Sequence, residues 1–277
     1  MNKPPNRMIE SITPLILTYN EAANIERALS KLEWAREVLV VDSLSTDDTV
    51  ALAGKAGNAR VLQRPFDDHT GQWNFGVAAA QTDWVLTMDA DYLLSDELVR
   101  ELEAWRPEAG TWAYFAEIRY CIAGHPLRGT LYPPRAVLFH RGHCRYVQDG
   151  HTQELSIEGK AGRLRGAIFH DDYKPLSSFI WAQDRYARLE VEKLLRTDRT
   201  DLSFQDKVRR KVLLAPVLVF FYTLFAKRLI LDGWPGWYYA LQRTLFEVVL
   251  SLYLLDARWP RLGSSFRLSR QLPAAAK

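Results

Sequence analysis

Short, mostly apolar runs alternate with stretches of helical spacing through the first ninety residues of the chain. The apolar runs predict buried strands at residues 12–17, 38–41, 60–63 and 84–88. Apolar residues spaced three and four apart predict helices at residues 24–32, 50–56 and 72–80. Strands that alternate with helices form βαβ units with right-handed crossovers. The pattern therefore predicts an α/β fold, with a mainly parallel sheet flanked by helices.

Polar side chains follow three of these strands at the point where each strand ends. They occupy residues 18–21, residues 42–49, and the pair Asp89 and Asp91. In an open α/β sheet, ligands bind just beyond the carboxyl ends of the strands. Two hard oxygen donors this close suit a Mg²⁺ or Mn²⁺ ion that also holds substrate phosphates. Taken alone, each segment could equally be a polar turn that closes a strand.

The middle of the chain continues the α/β pattern with less regular spacing. Strands are predicted at residues 112–120, 137–140 and 166–169, followed by an amphipathic helix at residues 177–195. A polar segment with two acidic residues, Asp149 and Glu154, lies between the last two of these strands. Either carboxylate could remove a proton from a substrate hydroxyl.

Composition limits the class of protein. With 277 residues and 48% hydrophobic content the chain can bury a sizeable core, and its formal net charge of +3 gives little reason to expect nucleic-acid binding. The two cysteines, Cys121 and Cys144, lack metal-ligand spacing and fit a reducing compartment. No apolar signal segment is expected at residues 1–11.

The character of the sequence changes after residue 206. A basic cluster at residues 207–211 precedes an uncharged run at 213–226, and a second apolar stretch spans 245–255. The uncharged run is shorter than the roughly 20 residues that a spanning helix needs. Basic flanks, aromatic rings and short apolar runs are typical of helices that lie in the membrane interface. The alternatives are packing on the preceding domain, a homo-oligomer contact, and a hairpin that enters the bilayer.

Four segments in this order resemble the glycosyltransferases of family 2, which have a GT-A fold. They are Thr18-Tyr19-Asn20-Glu21, residues 40–49, Gln72-Trp73-Asn74-Phe75-Gly76, and Met88-Asp89-Ala90-Asp91. The narrower resemblance is to transferases of lipopolysaccharide core and capsule, such as the β-1,4-glucosyltransferases. One departure is Leu44, where the family often has a glycine; glycine permits a positive φ, which leucine resists.

The resemblance assigns roles to individual residues. It implies that Asp42 binds uracil, that Asp89 and Asp91 hold Mn²⁺ or Mg²⁺, and that Asp149 or Glu154 is the catalytic base. By its position after the strand at residues 166–169, His170 is a further candidate metal ligand, and the alternative is a structural histidine. Further donor-binding positions, with Asp89 among them, are implied at Thr18, Asn20, Glu21, Gln72 and Asn74.

These expectations combine into one hypothesis. The chain is interpreted as a GT-A glycosyltransferase domain at residues 1–206 and a helical, membrane-associated tail at residues 207–277. It would transfer a sugar, with inversion, from a nucleotide sugar such as a UDP-sugar to a hydroxyl of a cell-envelope glycan or glycolipid. The enzyme would rest on the cytoplasmic face of the inner membrane, as a peripheral or monotopic protein. The alternatives are a polyprenyl-phosphate acceptor and a non-catalytic scaffold that binds nucleotide sugars.

Overall fold

The computed structural model describes residues 8–149 and 152–259, apart from the side chains of Asp149 and Thr152. The strands in these ranges are β1 (Ile12–Thr18), β2 (Val38–Asp42), β3 (Ala59–Gln63), β4 (Trp84–Asp89), β5 (Tyr92–Leu94), β6 (Thr111–Ile122), β7 (His125–Pro126), β8 (Arg135–His140), β9 (Cys144–Asp149), β10 (Thr152–Ile157) and β11 (Lys160–His170). The α-helices are α1 (Ile25–Ser30), α2 (Thr49–Ala53), α3 (His69–Ala79), α4 (Asp96–Ala104), α5 (Leu176–Arg196), α6 (Phe204–Arg209), α7 (Leu214–Phe221) and α8 (Trp234–Arg258).

The main sheet has the strand order β3-β2-β1-β4-β8-β6-β11-β5, with β7 paired to β6. Strands β3, β2, β1 and β4 are parallel, as the βαβ pattern predicts. Strand β8 then runs antiparallel to both β4 and β6, and β5 runs antiparallel to β11. The sheet is therefore mixed rather than mainly parallel. A parallel pair needs a crossover, usually a helix, and the described residues between β6 and β8 contain no helix.

The sheet is buried on both faces. Alternate residues of β2 enter different hydrophobic clusters: Val38 and Val40 belong to one, and Leu39 and Val41 belong to the other. Side chains of a strand point alternately to opposite faces, so an uncharged run without polar alternation is what two covered faces require. The core therefore holds the carboxyl ends of the parallel strands in a fixed arrangement.

Contacts divide the described chain into two compact units. Unit 1 comprises residues 8–121 and 132–173, and unit 2 comprises residues 122–131 and 174–259. Unit 1 contains most of the main sheet and the β9–β10 hairpin. This division assigns α5 to the same unit as the later helices, whereas the sequence predicts a boundary after residue 206, which stays a prediction.

Unit 2 is built around helices α5 and α8. Its core contains Ala187, Val191 and Leu194 of α5, with Leu250 and Leu254 of α8 among its other members. No helix in the described part of the chain combines the length and apolarity needed to cross a membrane.

Candidate active site

Three strand ends meet at one edge of the parallel half of the sheet. Thr18 of β1 is in register with Asp42 of β2, and Leu17 of β1 is in register with Asp89 of β4. The polar segments that follow these strands therefore lie side by side. The sequence predicts this arrangement from the βαβ pattern alone, because parallel neighbours end at the same edge.

Asp42 is fully buried and organises the loop that follows β2. Its Oδ1 accepts hydrogen bonds from the Ser45 backbone N–H at 2.9 Å and from Gln63 Nε2 at 3.3 Å. Its Oδ2 accepts from Thr18 Oγ1 at 3.0 Å and from Ser45 Oγ at 2.5 Å. Four protein donors thus satisfy this carboxylate. The structure gives Asp42 a clear part in shaping the loop, and its contact with a base stays a prediction.

The loop after β1 is tied to the loop after β2. Asn20 has a φ of 52°; its backbone N–H donates to Ser45 Oγ at 2.8 Å and its Oδ1 accepts from the Thr46 N–H at 2.8 Å. The backbone N–H of Glu21 donates to Thr49 Oγ1 at 2.7 Å. Asparagine tolerates this left-handed conformation better than most residues. Asn20 and Glu21 therefore line the same edge as Asp42.

Gln72 and Asn74 lie deeper in helix α3 than the sequence predicts. The helix begins at His69 rather than at residue 72, because the Asp68 side chain caps it by accepting from the Gly71 N–H at 2.7 Å. The prediction that this helix begins at residue 72 is therefore wrong.

Both amides of these residues bind other parts of unit 1. Gln72 is fully buried, and its Nε2 donates to Ser43 Oγ at 2.9 Å. Asn74 bonds twice to the backbone of β9, at Tyr146 O (2.9 Å) and Tyr146 N (3.0 Å). Asn74 thereby attaches the β9–β10 hairpin to α3, and donor binding by either residue stays a prediction.

Asp89, Asp91 and His170 form the charged centre of the edge. His170 Nε2 lies 3.1 Å from Asp91 Oδ2, and Arg135 Nη1 lies 3.9 Å from Asp89 Oδ2. Burial alone would lower the pKa of His170. The charge of Asp91 and its hydrogen bond outweigh burial, with smaller contributions from Asp89 and Asp172, so this pKa is raised.

The donor set at this centre fits a hard divalent cation. Mg²⁺ is usually bound by one or two carboxylates together with substrate phosphates, and Asp89 and Asp91 match that number and chemistry. In the described residues, no group of three or more His, Cys, Asp and Glu side chains is arranged to hold a metal alone. His170 Nδ1 is buried and makes no hydrogen bond within that part of the chain. An ion here would need oxygen atoms from a substrate to complete its coordination.

Aromatic rings surround His170, and sequence reasoning missed them. The ring centroids of Tyr120, Tyr92 and Tyr132 lie 4.5, 5.3 and 5.3 Å from that of His170. Burial and the nearby carboxylate of Asp89 hold the pKa of Tyr92 well above its ordinary value, so its hydroxyl stays protonated. These tyrosines come from separate elements, and no local motif in the sequence marks them.

A second group that sequence reasoning missed fastens the segment after β11 to helix α1. Arg27 Nη2 donates to Asp171 Oδ2 at 2.7 Å, and its guanidinium lies 3.4 Å from the centroid of the Tyr173 ring. Asn24 Nδ2 donates to Asp172 Oδ1 at 2.8 Å and to Glu21 Oε2 at 3.0 Å. The sequence signal was the polar run at residues 170–173.

The two candidate bases lie on the hairpin. Strand β9 ends at Asp149, whose side chain lies outside the described part of the structure. Glu154 is exposed on β10, opposite Val147. The hairpin packs against α3 through Asn74 and through a 2.9 Å hydrogen bond between Thr70 Oγ1 and Gln148 Oε1. Neither carboxylate is joined to the strand-end centre by a described contact, and the choice of base stays a prediction.

Comparison with known proteins relates part of the chain to one family of transferases. Residues 15–123 match the family model described as "Glycosyl transferase family 2". An uncharacterized glycosyltransferase of Rickettsia felis is 46% identical over 96 residues, which are 34% of this chain and 34% of that protein. The chain thus spans about a third of this relative's length.

Two further likenesses extend beyond the matched region. The lipopolysaccharide core biosynthesis glycosyltransferase LpsC of Rhizobium meliloti is 29% identical over 200 residues, covering 65% of this chain and 70% of that protein. The crystal structure of S. aureus TarS 1-349 in complex with UDP-GlcNAc superposes with a TM-score of 0.47 at 18% identity, covering 89% of this chain and 87% of that one.

Proposed function

Because residues 15–123 match the model of glycosyl transferase family 2, we propose that this protein transfers a sugar from a nucleotide sugar, a UDP-sugar in the first instance, to a cell-envelope glycan. The observation that carries the proposal is the meeting of Thr18, Asp42 and Asp89 at one sheet edge, with the Asp91–His170 pair beside them. The likeness to LpsC supports lipopolysaccharide core as the class of acceptor. Inversion at the anomeric carbon is carried over from the family resemblance.

Asp89 and Asp91 would hold Mn²⁺ or Mg²⁺, which when bound neutralises charge on the leaving diphosphate. Arg135 would add a second positive charge on the Asp89 side of the site, because its guanidinium is half exposed and 3.9 Å from that carboxylate. The contact between His170 Nε2 and Asp91 Oδ2, at 3.1 Å, would keep Asp91 in position. Thr18, Asn20 and Glu21 would contact the base and ribose from the other side of the edge.

The acceptor hydroxyl would attack the anomeric carbon while its proton passes to a carboxylate. Asp149 and Glu154 are the candidates, and both lie on the hairpin fastened to α3. The new glycosidic bond forms as the bond between the sugar and the diphosphate breaks. If Asp149→Asn and Glu154→Gln each keep full activity, an acceptor that is already ionised, such as polyprenyl phosphate, replaces the glycan hydroxyl in this scheme.

Turnover of purified full-length protein with UDP-, GDP- and dTDP-sugars and Mn²⁺ tests the proposal. Asp89→Asn and Asp91→Asn are expected to lower kcat by about 100-fold or more, the size of effect seen when a group that stabilises transition-state charge is lost. Asp83→Asn is the matched control. Asp83 is exposed and directly precedes the first residue of β4, so it lies at the opposite end of this strand from Asp89. Full activity of both Asp89→Asn and Asp91→Asn, or turnover without a metal ion, would contradict the metal assignment. No turnover with any of the donors would favour the alternative of a non-catalytic scaffold that binds nucleotide sugars.

Unit 2 would hold the enzyme on the cytoplasmic face of the inner membrane. Many large apolar side chains of this unit are exposed, among them Phe204, Leu213, Val217, Phe221, Phe225, Leu231, Trp234 and Leu252. Helices that lie in the membrane interface combine exposed apolar side chains with basic residues that attract anionic lipid.

The basic cluster contributes less charge to that surface than the sequence predicts. Arg209 pairs with Glu247 and Glu190, so it stabilises the interior of unit 2. Arg210 donates to the backbone carbonyl of Leu194. Lys207 and Lys211 remain exposed.

Sedimentation with anionic vesicles tests the membrane assignment. Phe204→Ser, Leu213→Ser and Phe225→Ser together are expected to release the protein from phosphatidylglycerol vesicles, because each removes an exposed apolar side chain. Unchanged binding would contradict a role for these side chains, and a concentration-dependent dimer that the triple variant abolishes would favour an oligomer contact.

A further inference from the structure

Unit 2 contains a cavity of about 390 Å³, to which the proposed glycosyltransfer scheme assigns no role. It lies between the loop at residues 125–128 and the start of helix α8, and all of its lining residues belong to unit 2. They are His125, Pro126, Leu127, Arg128, Leu231, Asp232, Gly233, Trp234 and Pro235. A volume of this size is sufficient for a small ligand or a lipid headgroup.

Arg128 is oriented in this cavity by Asp232. Its Nε donates to Asp232 Oδ1 at 2.9 Å, and its backbone N–H donates to Asp232 Oδ2 at 3.0 Å. Asp232 has a side chain that is 9% exposed, whereas that of Arg128 is 64% exposed. In the part of the chain that the structure describes, the two Nη atoms of Arg128 make no hydrogen bond. The carboxylate of Asp232 thus holds the guanidinium at Nε, and the edge formed by the two Nη atoms remains available for two parallel hydrogen bonds to an anion.

Two further N–H donors line the same cavity. The rings of His125 and Trp234 pack edge to face, with centroids 5.8 Å apart. Both side chains are exposed, and neither ring nitrogen is hydrogen-bonded within the described residues. Helix α8 also begins here, at Trp234, without a side-chain cap. Its dipole adds to the preference for an anion that the side chains establish.

We propose that this cavity binds the phosphomonoester headgroup of a membrane lipid. A phosphomonoester offers three unesterified oxygens, which match a guanidinium fork, an imidazole and an indole N–H. Asp232 also lines the cavity, and Arg128 offsets its charge, so recognition depends on directed hydrogen bonds rather than on net charge. The lipid source follows from the exposed apolar side chains at the cavity, Leu231 and Trp234, with Trp237 one helical turn further. The inference rests on the proposed membrane association of unit 2.

Sedimentation of the full chain with two kinds of anionic vesicle tests the inference. Phosphatidylcholine vesicles carry either phosphatidic acid, a phosphomonoester, or phosphatidylglycerol, a phosphodiester, at matched surface charge. We expect the protein to bind the phosphatidic acid vesicles about tenfold more tightly, and Arg128→Gln to remove that preference while phosphatidylglycerol binding is retained. Arg199→Gln, at an exposed arginine of unit 2 outside the cavity, should keep the preference.

Two further variants guard against misfolding. Arg128→Gln leaves the carboxylate of Asp232 without its ion pair, so the double variant Arg128→Gln/Asp232→Asn is measured beside it. His125→Ala leaves the ion pair intact and should weaken the preference severalfold. Each variant should show the circular dichroism spectrum of the unmodified chain.

The outcomes separate this inference from the one it rests on. Equal binding to both vesicles, with no effect of Arg128→Gln, would overturn the headgroup site and leave membrane association standing. Failure to bind either vesicle would overturn both. If soluble glycerol phosphate raises the melting temperature of the unmodified chain but not of Arg128→Gln, while the two vesicles bind equally, the cavity takes a free phosphate ester and the lipid assignment is wrong.

Discussion

Replacement of Arg27 by alanine should destabilise unit 1 more than the loss of an exposed charge such as that of Lys31. Arg27 makes a 2.7 Å ion pair with Asp171, donates to the backbone carbonyl of Asp171 at 3.0 Å, and covers the ring of Tyr173. The Asp171 side chain is only 3% exposed. The substitution therefore removes the compensating charge of a buried carboxylate.

The contacts set the size of the effect. A hydrogen bond to a charged group contributes about 1.5–3 kcal/mol and one to a backbone carbonyl about 1 kcal/mol, while a cation–π contact at an exposed ring adds about 0.5–1 kcal/mol. Ordering the arginine side chain costs about 1.5–2 kcal/mol, which the alanine variant does not incur. We therefore expect a loss of about 1–3.5 kcal/mol in the free energy of unfolding.

Guanidinium unfolding of the full chain gives the measurement, with the m value compared between variants because a changed m would signal lost two-state behaviour. Lys31→Ala is the matched control. Lys31 directly follows α1, the helix that contains Arg27, and forms a 2.9 Å ion pair with Asp96 of α4. The side chains of Lys31 and Asp96 are 42% and 82% exposed. Such a pair contributes about 1 kcal/mol at most. Equal effects of the two substitutions would refute the reasoning that burial of Asp171 makes the Arg27 pair important.

Three further predictions follow from the backbone and the loops. Gly166→Ala should destabilise unit 1 by about 1–3 kcal/mol in chemical denaturation, since its Cβ would lie 2.4 Å from Leu98 Cα, and Gly57→Ala, with nothing within 4 Å, should be nearly neutral. Burial would raise the pKa of Asp47, but hydrogen bonds from Thr49 and Ala22 outweigh burial and lower this pKa below 3.8. The ionised carboxylate should therefore stabilise the fold fully well above pH 3.8, and this stabilisation should disappear as the pH falls through the folded-state pKa. The difference in unfolding free energy between the unmodified chain and Asp47→Asn should shrink in acid, and a difference that grows would contradict this prediction. Leu44→Asn should raise the melting temperature and Leu44→Val should lower it, because Leu44 has a φ of 62° that asparagine tolerates and a β-branched residue resists; identical melting temperatures would contradict strain at this position.

The parallel half of the fold and the convergence of the strand ends could be predicted because local signals agree there. Apolar runs predict the strands, and the helices between them imply parallel pairing. The meeting of the strand ends at one edge then follows from these local patterns, and no long-range contact has to be known. Residues 84–88 illustrate this: the predicted strand becomes β4, which extends one residue further to Asp89.

The second half could not be predicted in the same way, since non-local contacts determine it. Strand β8 lies between β4 and β6, an order that no spacing in the sequence encodes. The partners of Asp171 and Asp172, which are Arg27 and Asn24, are 144 and 148 residues away in the chain. Helix α3 begins three residues earlier than predicted because a single capping aspartate, Asp68, outweighs the apolar periodicity.

Leu44 connects the local and the non-local parts of the site. Its backbone adopts the left-handed conformation that glycine would favour, which costs a leucine about 1–2 kcal/mol. Hydrogen bonds on both sides hold it there: the Ser43 N–H donates to Thr18 O at 2.8 Å, and the Ser45 N–H donates to Asp42 at 2.9 Å. The buried carboxylate of Asp42 thus fixes the loop geometry that a glycine would merely permit. The loop therefore holds a leucine in the left-handed conformation at residue 44, because its neighbours Ser43 and Ser45 are hydrogen-bonded to Thr18 and Asp42 at the ends of β1 and β2.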